Sequence, residues 1–142
     1  MTPAPPKPLP VLQKFRISVP STDIAPKCAR DLVVCLLRNT GHHDVADTAK
    51  LLVSELVTNA HQHTTTPVVH MDVTVEPTRI HVAVWDDAPR ERLYARDAPD
   101  AAEHGRGLSL VEALSSGWGV NWAVGPCDLQ KRVWFALDDS AS

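Results

Sequence analysis

Glu55, Asn59 and His63 recur four residues apart within Leu51-Leu52-Val53-Ser54-Glu55-Leu56-Val57-Thr58-Asn59-Ala60-His61-Gln62-His63. On an α-helix this spacing stacks side chains along one line, so a carboxylate, an amide and an imidazole stand one above the other. Val45, Ala49, Leu52, Val53, Leu56 and Ala60 form the apolar stripe beside them, as a helix with one buried face requires. Polar groups aligned at the edge of a buried stripe can wall a binding site. Spacing alone describes a solvated helix face equally well, and that is the commoner case. Two later stretches also carry chemistry. Val82-Ala83-Val84-Trp85-Asp86-Asp87-Ala88-Pro89 reads as a strand that ends in acidic residues and a turn. His104-Gly105-Arg106-Gly107-Leu108 is a glycine pair opening a helix, where backbone can approach an anion and the helix start offers unsatisfied N–H groups. No Lys-Ser or Lys-Thr follows the glycines, so this is not a Walker A loop.

In this order the three stretches resemble the N, G1 and G2 boxes of the histidine-kinase-like ATPase superfamily, whose ATP pocket is called the Bergerat fold. The resemblance runs from about Phe15 to Leu137. It is nearest to the small, single-domain branch of anti-sigma-factor serine/threonine kinases of Gram-positive bacteria and their actinobacterial relatives. Glu55-Leu-Val-Thr-Asn59-Ala with His63 is the most specific part and Gly105-Arg-Gly107-Leu108 the next.

The resemblance implies ATP and Mg²⁺ as cofactors and assigns the roles. Asn59 holds Mg²⁺, an ion that takes one or two protein oxygens together with phosphates and waters. Glu55 is the catalytic carboxylate that activates the attacking hydroxyl. His63 lines the pocket. Asp86, preferred over Asp87 by register, accepts a hydrogen bond from the adenine amino group and would reject guanine, whose carbonyl meets it acceptor to acceptor. Ala88, Gly105, Arg106, Gly107 and Leu108 complete the cofactor-binding set. Ala88 and Arg90 stand where the fuller G1 motif has glycines, and Arg132 stands where relatives often have a threonine near the phosphates.

Composition bounds the rest. A chain of 142 residues with 44% hydrophobic residues makes one domain with a sizeable core. A formal charge of −3 and seven scattered histidines give no basic field for a nucleic acid. No apolar run reaches the roughly 20 residues of a spanning helix, and the start lacks a signal peptide's apolar core, so a cytoplasmic protein without a membrane partner is expected. Cys28, Cys35 and Cys127 make an odd set, read as reduced and mostly buried thiols.

Residues 1–12 read as a flexible proline-rich tail, 13–138 as the ATP-binding domain and 139–142 as a second tail. Phe15–Val19 alternates like a half-buried strand ending at Pro20. Ser21, Thr22 or Asp23 is expected to cap a helix that has Pro26 in its first turn, faces Ala29, Leu32, Val33, Leu36 and Leu37 inward, and stops at Thr40-Gly41. His42-His43-Asp44 reads as a solvated connector, with Asp44 capping the helix of Glu55 and Asn59. Val68–Val75 and Arg79–Trp85 form a hairpin, and Trp118–Val124 and Arg132–Leu137 are the closing strands. Between Asp87 and Glu103 a long loop suggests a lid, and a helix from Gly107 to Ser116 turns Leu108, Val111 and Leu114 inward. The expected fold is α+β, a two-layer sandwich of a mixed, largely antiparallel sheet with three helices on one face.

The function expected from the resemblance is an ATP- and Mg²⁺-dependent protein serine/threonine kinase in partner switching. Its partners would be a sigma factor and a small antagonist protein phosphorylated on serine or threonine, and a homodimer would be in keeping with the family. The alternative is a non-catalytic module that holds a protein partner, for which Ala88, Arg90 and Arg132 argue. An ATPase-only switch driven by the lid ranks last.

Overall fold

A computed structural model describes residues 3, 12–87, 108–126 and 128–139. Ala88, Arg90, Gly105, Arg106, Gly107, Cys127 and the expected lid beyond Asp87 lie outside the described residues. In chain order the elements are β1 (Gln13–Pro20), α1 (Ala25–Asn39), α2 (His43–His63), β2 (Val68–Glu76) and β3 (Arg79–Asp86), followed by a helical turn pair α3 at 108–114, β4 (Gly117–Gly125) and β5 (Asp128–Asp138). The sheet runs β1-β2-β3-β5-β4, and all four pairings are antiparallel, so the mixed sheet expected from sequence is antiparallel throughout the described strands.

Alternation decides which face is covered. Phe15, Ile17 and Val19 of β1 lie opposite Val73, Met71 and Val69 of β2, and Val82 and Val84 of β3 lie opposite Phe135 and Val133 of β5. These residues belong to one core with Ala29, Val33 and Leu37 of α1, Leu52, Val53, Leu56, Val57 and Ala60 of α2, and Val111 of α3. The three helices therefore share one face of the sheet. Removing this apolar surface from water, at roughly 25 cal/mol per Å², is the main term holding the two layers together. In two places the expected inward residues turn out: Leu32 is 46% and Leu114 44% exposed. Each sits at the rim of an otherwise correct stripe, where the covered arc is narrower than the apolar one.

Helix ends also differ from expectation. α1 starts from Ile24 with no side-chain cap, because Ser21 and Asp23 are engaged elsewhere, while Pro26 does occupy the first turn. Its end follows the sequence: Gly41 has φ +85°, and the His42 N–H reaches the Leu37 carbonyl at 2.8 Å, a Schellman-type stop. α2 starts from His42, and Asp44 lies in the first turn rather than at the cap. The supposed solvated connector is tied down. His42 is 3% exposed and its Nδ1 lies 2.7 Å from Asp139 Oδ2, joining the α1–α2 corner to the end of β5. Asp139 is likewise buried, and its N–H donates to the Thr78 carbonyl. Cys28 is half-buried and Cys35 exposed, so the thiols are less buried than expected. No helix among the described residues is long and apolar enough to cross a membrane.

Candidate functional site

α2 carries the polar line that the sequence singles out. Its buried residues Leu52, Val53, Leu56, Val57 and Ala60 fix the rotation of the helix against the sheet. Glu55, Asn59 and His63 are consequently held half-buried beside the core rather than on the outer face. His61, about 200° around the helix from His63, points away to the β1–α1 loop, where Ser21 Oγ lies 2.8 Å from Nδ1 and Asp23 Oδ1 3.1 Å from Nε2.

Polar side chains in these helices usually fold back on their own backbone. Asn39 does so, donating to the Cys35 carbonyl at 2.7 Å, as do Ser54 to Lys50 and Thr64 to Ala60. Among the described residues, Glu55 and Asn59 make neither such a bond nor an ion pair. A half-buried carboxylate and amide one turn apart thus keep their hydrogen-bonding capacity for something outside the helix.

The far end of α2 is fastened to the end of β3. Thr64 Oγ1 meets Thr66 Oγ1 at 2.5 Å, and Thr66 Oγ1 accepts the Asp87 N–H at 2.8 Å. This chain brings the polar line of α2 and the acidic end of β3 to the same end of the molecule. There the two aspartates part. Asp87 accepts a 2.7 Å bond from Gln130 Nε2, whereas Asp86 is in phase with Val82 and Val84 on the helix-covered side and is 3% exposed. Asp86, not Asp87, is therefore the aspartate on the helix-covered side. Asp86 Oδ2 lies 3.2 Å from Lys131 Nζ, with the two side chains 4% and 12% exposed.

Lys131 is the residue that sequence reasoning missed. Lys131 pairs with Asp86 across β3 and β5 and is in phase with Val133, Phe135 and Leu137. Arg132, one residue on, faces the opposite way, onto the open face of the sheet. There it lies 5.9 Å from the ring centroids of Trp85 and Trp134, with Nη1 3.4 Å from Asn121 Oδ1. A signal for this was present: the strict alternation of Val133, Phe135 and Leu137 puts 131, not 132, on the helix side.

The open face of the sheet has its own polar network. Arg16 grips Asp72 through both carboxylate oxygens at 2.7 and 3.0 Å, and Trp85 Nε1 donates to Asp72 Oδ2 at 3.0 Å. Burial pushes the Asp72 carboxyl up, but the Arg16 and Trp85 hydrogen bonds and the nearby guanidinium charges outweigh it and leave the pKa lowered. His81 stacks on Trp134 with centroids 5.0 Å apart. Its pKa is lowered by burial first, then by Arg132 and Arg79, against the opposing charge of Glu76. The Arg132 guanidinium pKa is likewise lowered by burial. A groove of about 460 Å³ opens on this face, with Lys14, Arg16, Asp72, His81 and Arg132 among its walls. None of Glu55, Asn59, His63 or Asp86 borders it.

Among the described residues no three His, Cys, Asp or Glu side chains gather as a metal site. Leu108 packs against the core at the start of described α3. Residues 20–120 match the model of a family described as the histidine kinase-like ATPase domain, and this spans more than half of the 142 residues. The chain belongs to that family. Its architecture, an antiparallel sheet with helices on one face, is consistent with that fold, and an ATP-binding, kinase-like module is the general function that membership supports. No curated protein matches the chain.

Proposed function

We propose that this chain is an ATP- and Mg²⁺-dependent protein serine/threonine kinase of the anti-sigma-factor type. Its substrate would be a small antagonist protein phosphorylated on serine or threonine, and its regulatory target a sigma factor. The observation that carries the reading is the pair Glu55 and Asn59, half-buried, one helical turn apart and without partners among the described residues.

Their chemistry suits the two tasks. Asn59 offers a single neutral oxygen donor, which fits an ion that keeps its waters and takes phosphate oxygens as its other ligands. When bound there, Mg²⁺ offsets charge on the phosphates. Glu55, four residues before it, would accept the proton of the attacking hydroxyl while that oxygen bonds to the γ-phosphorus and ADP departs with the β–γ bridging oxygen. Asp86 would accept the exocyclic amino group of adenine, and His63 would line the pocket between base and phosphates.

Calorimetric titration with ATP and Mg²⁺ tests the pocket. Binding is expected, with a loss of at least about tenfold in Asn59→Ala; equal binding by that variant would remove Asn59 from the site. In Glu55→Ala nucleotide binding should persist while phosphoryl transfer to a cognate antagonist is lost, and unchanged transfer would sink the catalytic assignment.

One observation favours a second reading, a non-catalytic module that holds a partner. The Asp86 carboxylate is already engaged by Lys131, and an ammonium group at the base end could stand in for the nucleotide. Absence of binding at millimolar ATP would select that reading.

A further inference from the structure

The groove on the open face of the sheet crosses β1, β2, β3 and β5 and takes no part in the proposed nucleotide site. Three strand spacings separate its ends, roughly 14 Å. Arg132 stands at the β5 end. Its half-buried guanidinium has five N–H donors, yet its side-chain hydrogen bonds are two and long: Nη1 to Asn121 Oδ1 at 3.4 Å and Nη2 to His81 Nε2 at 3.5 Å. The Asp72 carboxylate is held by Arg16 and the Trp85 indole N–H instead. Arg132 therefore has no carboxylate partner among the described residues. At the β1 end Lys14 is exposed, beside Arg16. Glu76 and Asp138 of the same face lie by Arg79, outside the groove. Three cations thus face one acid, already paired, in a chain whose formal charge is −3.

We infer that this groove docks an extended acidic segment of a protein partner, with one carboxylate at Arg132 and another at Lys14 and Arg16. The inference stands independently of the kinase reading, whose residues Glu55, Asn59, His63 and Asp86 do not border the groove. Cations at both ends favour a long ligand, since a single small anion reaches only one of them. An extended chain advances about 3.4 Å per residue and turns alternate side chains to one side, so acidic residues four apart span the distance. At Arg132 the planar fork of N–H groups matches a carboxylate. Other occupants fit less well. A second copy of this face would set like charges against each other. A single-stranded nucleic acid needs free aromatic faces for its bases, but Trp85 is 6% exposed and His81 already stacks on Trp134.

Fluorescence anisotropy of a labelled hexaglutamate peptide, titrated with the full chain at low ionic strength and without nucleotide, is the test. The expected result is a Kd below about 1 mM that weakens as salt is added, with no binding of hexaglutamine. Arg132→Gln should weaken hexaglutamate by about 10-fold or more, the usual worth of a hydrogen bond from a charged group. Lys14→Gln should weaken it by about 2- to 5-fold, as for an exposed ion pair, and Lys50→Gln on the helix layer should leave it unchanged. Absence of hexaglutamate binding overturns the inference, as does equal binding by wild type, Arg132→Gln and Lys14→Gln. Tighter binding of an oligothymidylate of the same charge replaces it with a nucleic-acid surface, and a sedimenting dimer that binds no peptide replaces it with an interface between copies. Should Arg132→Gln fail to fold by circular dichroism, the exposed charge reversal Lys14→Glu decides: a loss of about 10-fold supports the docking site and equal binding overturns it.

Discussion

On its helix-covered face the sheet presents Val82, Val84, Val133 and Phe135, and at one end of β3 and β5 an ion pair, Asp86 with Lys131. On its open face the same two strands present His81, Trp85, Arg132 and Trp134, with Asp72 and Arg16 alongside. Most open-face groups satisfy one another laterally: a bidentate Arg16–Asp72 pair, an indole N–H on the same carboxylate, an imidazole stacked on an indole. On α2, by contrast, Glu55 and Asn59 stand without partners among the described residues. Polar residues that close upon themselves stabilise a surface, while polar residues held beside a core without partners are available to a ligand.

Core and open face should therefore respond differently to substitution. Phe135→Ala removes the largest fully buried side chain among the described residues and is expected to cost about 4 kcal/mol, read as a lower urea midpoint; a loss below about 1 kcal/mol would show that the two layers do not meet as described. Gly119→Ala acts on the other face. A Cβ there would lie 2.6 Å from Trp134 Nε1, so the indole must tilt off His81, with a loss of about 2 kcal/mol and an altered near-ultraviolet circular dichroism of tryptophan. No change in that signal would mean the stack is not formed.

The smallest effect is one of pH. His81 has its folded pKa held below the ordinary value by burial first and then by Arg132 and Arg79. The neutral ring is the favoured folded form, so its contribution is complete above the unfolded value of about 6.5 and is lost as pH falls through the lowered folded value. Urea midpoints should fall on acidification below about pH 6.5, and His81→Phe, which keeps an aromatic ring over Trp134, should flatten that slope. An unchanged slope would place the titration elsewhere.

The elements themselves were legible. Alternation in Phe15–Val19, Val68–Val75 and Arg79–Trp85 and the helical period around Glu55 report local geometry, which repeats every few residues. The Thr40-Gly41 stop was legible too, because a left-handed residue leaves a glycine behind. Side chains that answer to distant partners were not. Ser21 and Asp23 suit a helix cap as well as any residues do, yet His61, 40 and 38 positions on, takes both. His42 gave no local sign of Asp139. For the site, the α2 line lies half-buried and Asp86 lies on the helix-covered side, but Lys131 went unread beside Arg132, and in a strand one residue is the whole difference between faces.

The His42–Asp139 contact spans 97 positions, and this bears on the order in which the chain can acquire its shape. During synthesis α1 and α2 are complete long before residue 139 exists, so the histidine at their corner has to wait while β2 to β5 are made. The corner becomes locked only when β5 has entered the sheet between β3 and β4. Without Asp139 the α1–α2 corner would lose its tie to the end of β5, although every residue of both helices had been made.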